Sequence, residues 1–274
     1  MKLGIAAQLS HSSPEEWAKK HKELGLSAVV FPLDYRADTK LIDAYAEAAR
    51  GEGLTIAEVG AWCNPISPDP AQRTKNVEYC ARQLELADYV GALCCVNIAG
   101  AVGEVWDGGY RENYLPETYD AIVESVRKII DTAKPRRAKY ALETMPWMYP
   151  DSPESYLKLI SDIGRPELGV HLDIVNMLNC PERYFNNAEF TRRCFELLGD
   201  KVLSCHLKDT ALRGRLTISI EEAFPGTGGF DIPAFLRAAE AANPEMPVII
   251  EHLSSEGDYI RAAKYVLGLM SEIL

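Results

Sequence analysis

Short apolar, β-rich runs alternate with longer amphipathic segments from one end of this chain to the other, and no other feature limits its fold so strongly. The runs are Leu3–Ala7, Ala28–Phe31, Thr55–Val59, Ala92–Ile98, Tyr140–Glu143, Leu168–Asp173, Val202–His206 and Val248–Glu251. Strands separated by helices need crossover connections, which make them parallel and bury both faces of the sheet. Helix starts are marked by Ser13-Pro14-Glu15-Glu16, Asp69-Pro70, Pro116-Glu117, Ser152-Pro153-Glu154 and Asp231-Ile232-Pro233, each a cap or first-turn proline before an apolar-periodic stretch. Eight such units close into a barrel more readily than they form an open sheet, so the chain is predicted to be an α/β protein, a TIM (β/α)8 barrel; a doubly wound sheet is the alternative. No Pro/Gly/Ser linker, charge block or low-complexity tract divides it, and 274 residues suit one barrel domain over 1–274.

Composition narrows the partners. With 47% hydrophobic and 25% charged residues the chain is globular, not disordered. Its 29 Lys and Arg against 40 Asp and Glu give a formal net charge of −11, a field that repels phosphate backbones and anionic lipid surfaces. Neither nucleic acid nor a membrane is therefore an expected partner. Seven cysteines form no CxxC pair, and the adjacent Cys94 and Cys95 sit in an apolar run, as reduced core thiols would. The apolar stretch after Met1 is too short for a signal sequence and no long apolar segment follows, so the expected location is cytoplasmic.

In a barrel, chemistry collects at the carboxyl ends of the strands. The last four runs end in Glu143, Asp173, His206 and Glu251. One carboxylate there is an ordinary solvated or capping group, but four polar groups in register after apolar strand residues would be costly to bury without a cation. Three carboxylates and an imidazole form a mixed O/N donor set that suits Mn²⁺, Mg²⁺, Co²⁺ or Zn²⁺, and the absence of thiolates argues against structural zinc.

These residues, with the strings ALETMPW, GVHLDIVNM, SCHLKD, PGTGGFD and VIIEH, resemble the xylose-isomerase-like sugar phosphate isomerase/epimerase superfamily. The resemblance implies a TIM barrel holding one divalent metal, most often Mn²⁺, at Glu143, Asp173, His206 and Glu251. It also implies a small-molecule sugar or keto-sugar substrate. Its repair-nuclease branch is disfavoured by the five histidines and the acidic charge. Ketose 3-epimerases usually carry a histidine where this chain has Asn176 and an acidic residue where it has Tyr149; both departures weaken the expectation of a free hexulose.

Other candidates each have a plainer alternative. Alternation places His171 beside Asp173 on the barrel interior, as an orienter of ligands or a core histidine, and places Lys208 above His206, near substrate or at a loop start. His252 is expected to point away from the site. Glu58 and Asn97 end near the mouths of strands three and four, where they meet a sugar hydroxyl or fix a loop. Gly103–Tyr114 reads as a substrate lid, and Trp62, Trp106 and Trp147 as aromatic walls for sugar rings, or else as packing and homo-oligomer contacts. Arg213 and Arg215 could meet an anionic substrate. Pro225–Gly229 lacks the phosphate-loop pattern and reads as a turn before the Asp231 cap.

The expected activity is a metal-dependent epimerase or isomerase acting through an enediolate, with Glu143 and Glu251 as its acid–base pair. A lyase or dehydratase acting on a 3-keto-glycoside or inosose-like substrate is the runner-up. A non-catalytic sugar-binding barrel, or one subunit of a heteromeric enzyme, is the rival of another class.

Overall fold

A computed structural model describes residues 1–273. Eight parallel strands form one sheet: β1 Lys2–Ile5, β2 Ala28–Val30, β3 Thr55–Gly60, β4 Cys94–Asn97, β5 Lys139–Glu143, β6 Leu168–Asp173, β7 Val202–Leu207 and β10 Pro247–Ile250. Its order runs β1, β10, β7, β6, β5, β4, β3, β2, and Ser27 N–H donates to Leu3 O at 2.9 Å across the remaining seam. The barrel is nearly closed, as the eight-run count predicts. Gly4 lets the seam approach closely, because a Cβ there would lie 2.6 Å from Ala28 O.

The helices α1 Pro14–Glu23, α2 Thr39–Gly51, α3 Pro70–Val90, α4 Pro116–Ala133, α5 Pro153–Ile163, α6 Ile174–Met177, α7 Pro181–Phe185, α8 Asn187–Leu198, α9 Ile232–Ala242 and α10 Glu256–Ile273 fill the crossovers. The start signals act as expected: Ser13, Asp69 and Asp231 accept N-cap hydrogen bonds, and Ser152 and Ser155 cap each other reciprocally. The main core is the ring between strands and helices, where Trp17, Tyr140, Tyr156 and Phe235 are fully buried. Smaller clusters fill the interior, one of Ala28, Ala57 and Ile249, another of Cys94, Val96 and Ala141.

Two register shifts interrupt the two-residue period. Between β2 and β3, Val29 pairs with Ile56 but Val30 pairs with Glu58, so Ala57 is an extra residue. Between β6 and β7, Val170 pairs with Val202 but His171 pairs with Ser204, so Leu203 is extra. Such bulges re-aim the residues that follow them. Leu203 then leans over Gly169, where a Cβ would lie 2.2 Å from Leu203 Cδ1.

One element had no sequence forecast. An antiparallel hairpin, β8 Asp209–Arg213 and β9 Ser219–Ala223, stands between β7 and α9. Behind it the glycine-rich turn makes no anion cradle. Its amides are taken by Asp209, which accepts from Gly226 N at 2.9 Å, Gly228 N at 2.8 Å and Phe230 N at 3.1 Å.

Candidate metal centre

The carboxyl ends of β5, β6, β7 and β10 bring Glu143, Asp173, His206 and Glu251 together, each offering one ligand atom within 4.8 Å of the others. Alternation explains the aim. On β5, Tyr140 and Leu142 pack into the outer core while Ala141 faces inward, so Glu143 follows Ala141 to the interior. On β10, Ile249 is interior and directs Glu251 the same way. His206 Nδ1 lies 2.8 Å from Glu251 Oε2 and 3.2 Å from Glu143 Oε1. Asp173 is fully buried, and its other oxygen accepts from Asn176 N at 2.9 Å.

Lys208 is the surprise of the site. It is 2% exposed, with its ammonium 2.7 Å from Glu251 Oε1 and 2.9 Å from Asp173 Oδ2. Burial opposes its charge, but Asp173 and Glu251 outweigh burial and hold Lys208 protonated well above its ordinary range. Burial also raises the Glu251 carboxyl, yet His206 and Lys208 prevail and keep it well below the usual carboxylate range. For Asp173 burial wins against the pull of Lys208, and its carboxyl is pushed up to about 7. His206 is disfavoured as a cation by burial but surrounded by Glu251, Glu143 and Glu58, which raise it well above its ordinary value.

The residues fit a divalent cation. Three carboxylates carry three negative charges, Lys208 offsets one, and a divalent ion with a neutral imidazole would offset the remaining two. Asp173 Oδ2 is buried and faces the Lys208 ammonium at 2.9 Å, so a cation bound there would share that oxygen with Lys208 or displace it.

Above the cluster opens a cleft of about 690 Å³. Trp62, Trp106, Trp147 and Asn176 line it, and Asn176 Nδ2 donates to Glu143 Oε1 at 3.1 Å. The Gly103–Tyr114 loop reaches its edge through Trp106 and Asp107, and is tied to the β5 loop by Trp147 Nε1 donating to Asp107 O at 2.7 Å and Asn113 Nδ2 donating to Trp147 O at 3.1 Å.

Several expectations need correction. Arg213 lies on the exposed hairpin, paired with Glu221 at 3.0 Å, and does not line the cleft. His171 is fully buried beneath the ligands and Lys208 is walled in by ion pairs, so neither is on the cleft surface. Asn97 takes the loop-fixing alternative: it points outward to the helices, where its amide accepts from Cys63 N at 3.3 Å and donates to Cys63 O at 3.2 Å. His252 does reach the cleft: its φ of 57° is left-handed, and its Nδ1 sits 2.6 Å from Glu222 Oε1. Strict alternation past Glu251 misplaces it, and Glu222 lies on the hairpin, whose short charged strands carry no strand signal in the sequence.

Known proteins give this geometry a context. One curated relative, a probable L-ribulose-5-phosphate 3-epimerase of Mycoplasma pneumoniae, is 28% identical over 142 residues, which are 52% of this chain and 43% of the relative. The chain thus aligns with less than half of that protein. A D-tagatose 3-epimerase-like protein superposes with a TM-score of 0.75 at 21% identity, over 100% of this chain and 98% of the other. A xylose isomerase-like TIM barrel protein of Mycobacterium smegmatis, solved in complex with magnesium, gives 0.69 at 19% identity, over 99% and 94%. The family model described as xylose isomerase-like TIM barrel matches residues 18–269. Because that match spans nearly every strand and helix of the barrel rather than a single motif, the chain belongs to the xylose isomerase-like TIM barrel family.

Proposed function

We propose that the chain is a divalent-metal-dependent epimerase or isomerase of a sugar or keto-sugar, with Mn²⁺ the leading candidate and Mg²⁺, Co²⁺ or Zn²⁺ the alternatives. The observation that carries this reading is the convergence of Glu143, Asp173, His206 and Glu251 at the floor of an aromatic-walled cleft. The family, and the epimerase names borne by its relatives, support it.

A divalent cation held by Glu143, Asp173, His206 and Glu251 would supply Lewis acidity that makes the C–H beside a substrate carbonyl more acidic. The protein's own groups do the rest. Glu143 and Glu251 flank His206 Nδ1 from two strands, so each has a carboxylate to present to a substrate carbon. One, as the carboxylate, removes the carbon-bound proton, and the other, entering the cycle as the carboxylic acid, gives its proton to the opposite face, which inverts the centre and exchanges the two protonation states. Their partners differ: Glu251 is paired with His206 Nδ1 and Lys208 Nζ, whereas Glu143 takes an amide hydrogen bond from Asn176 Nδ2. Trp62, Trp106 and Trp147 offer faces to the apolar side of a sugar ring and help exclude water.

The test is NMR of a ketose and keto-sugar panel in D₂O with Mn²⁺-reconstituted protein. Deuterium uptake at one carbon with inversion, abolished by chelation, is expected. Absence of exchange, inversion and elimination across the panel would overturn the proposal, and elimination alone would replace the epimerase with a lyase.

A further inference from the structure

Glu58 belongs to no set of ligands named so far, yet it is the most deeply placed acidic residue of the first four strands, at 2% exposure. Strict alternation from Ile56, which packs in the outer core, would send Glu58 outward too. The bulge at Ala57 prevents this. Ala57 turns to the interior cluster with Ala28 and Ile249, and Glu58 follows it inward, in register with interior Cys94.

There its two oxygens meet two histidines. Glu58 Oε1 lies 3.3 Å from His206 Nε2, and Oε2 lies 3.4 Å from His171 Nδ1. A buried carboxylate at such a cost in desolvation calls for a purpose.

We infer that Glu58 is the positioning residue of the metal centre: it accepts the Nε2 proton of His206 and so leaves Nδ1 bare toward Glu143 and Glu251. This inference rests on the metal reading above. A neutral imidazole carries one N–H, and it ligates through the nitrogen that lacks it. A carboxylate only accepts, so its place at Nε2 selects the tautomer and fixes the ring plane.

His171 braces this arrangement. Its ring stands edge-on to His206 with centroids 4.1 Å apart, and its Nδ1 is 2.7 Å from Ser204 Oγ. Its Nε2 is buried without a partner. An unpaired buried N–H is the costlier orphan, so the proton belongs on Nδ1, directed at Ser204 Oγ, with Glu58 Oε2 3.4 Å away and not hydrogen-bonded. The bulge at Leu203 matters here as well, since it sets Ser204 and His206 on the interior face.

Glu58, His171 and His206 could themselves be mistaken for a second cation site, because their ligand atoms also lie within 4.8 Å of one another. Stoichiometry separates the two ideas, since a positioning role predicts one ion per chain.

The experiment is Mn²⁺ titration of the full chain, with Glu58→Leu and Glu58→Gln beside the wild type, together with ¹⁵N-histidine NMR of the Zn²⁺-loaded protein. Glu58→Leu should weaken Mn²⁺ binding by about 10- to 100-fold. Glu58→Gln, whose carbonyl still accepts a hydrogen bond, should recover most of that loss. The wild-type spectrum should show His206 ligated through Nδ1, with a slowly exchanging Nε2 proton that disappears in Glu58→Leu. If Glu58→Leu does not fold, the wild-type spectrum and Glu58→Gln decide. An unprotonated or freely exchanging Nε2, unchanged Mn²⁺ affinity in a folded Glu58→Leu, or saturation at two ions per chain would each overturn the inference while sparing the single-metal reading or extending it. A wild-type chain that binds no divalent ion would overturn both.

Discussion

The two halves of the barrel share one architecture and furnish the cleft with opposite chemistry. From β5 to β10 the strand ends deliver Glu143, Asp173, His206 and Glu251, with Lys208 among them. From β1 to β4 and the loops that follow them the cleft is lined by Ala6, Val30, Trp62, Ile98 and Trp106, with Glu58 and Asp107 as acidic exceptions. The difference teaches how a ring of equivalent strands makes an asymmetric site. The ligand charge is concentrated on one side, where a cation and a carbonyl would lie; the other side is mainly apolar, and Trp147 behind β5 extends that apolar wall, where the face of a sugar ring would rest. Changes in the second half should therefore act on metal and chemistry, and changes in the first half, Glu58 apart, on substrate fit.

The largest effect expected is on His206, the residue that touches both Glu143 and Glu251. His206→Ala should abolish measurable metal retention after gel filtration, while His252→Asn, which tolerates the left-handed backbone at that position, should retain it. Equal metal content in the two variants would break the division between ligand and wall.

Next come the carboxylates. Glu143→Gln and Glu251→Gln should each lower carbon-proton exchange by about 10²–10⁴-fold with some metal binding retained. In a two-carboxylate epimerase either change stops inversion; in a one-base mechanism one variant keeps exchanging the proton. Near-normal turnover in both would shift suspicion to Lys208.

In the first half, Trp62→Ala should raise KM by about tenfold while leaving metal affinity and kcat close to wild type, as expected for loss of one aromatic contact. A kcat loss larger than the KM change would place Trp62 with the chemistry rather than the fit.

The smallest effect concerns the Gly103–Tyr114 loop. Its ties through Asn113 and Trp147 already hold it near the cleft, so saturating substrate should slow amide exchange there only modestly. Unchanged exchange would mark it as a fixed wall and not a lid.

How much of this the sequence reveals follows the same physics. Strand ends are legible because period-two alternation and burial act locally, and the four-residue set is found from them alone. The interior position of Glu58 is not legible, because the bulge that aims it depends on register with β2. His252 escapes for a related reason, since its left-handed backbone breaks the alternation that Glu251 obeys. The burial of Lys208 depends on Asp173 and Glu251 arriving from other strands, and the hairpin that brings Glu222 has a short, charged sequence that reads as loop. Arg213 misleads in the other direction: a charge in a catalytic-face loop reads as a substrate contact, while Glu221 of the facing strand already pairs with it.

The central claim is that one cation sits among the ends of β5, β6, β7 and β10, and the most direct test is anomalous diffraction from crystals of the Mn²⁺-loaded protein at the manganese edge. The account predicts a single peak within coordination distance of Glu143, Asp173, His206 Nδ1 and Glu251, with Lys208 Nζ displaced from at least one of its carboxylate partners. A peak liganded by any other set of side chains, or none at full Mn²⁺ saturation, would contradict it.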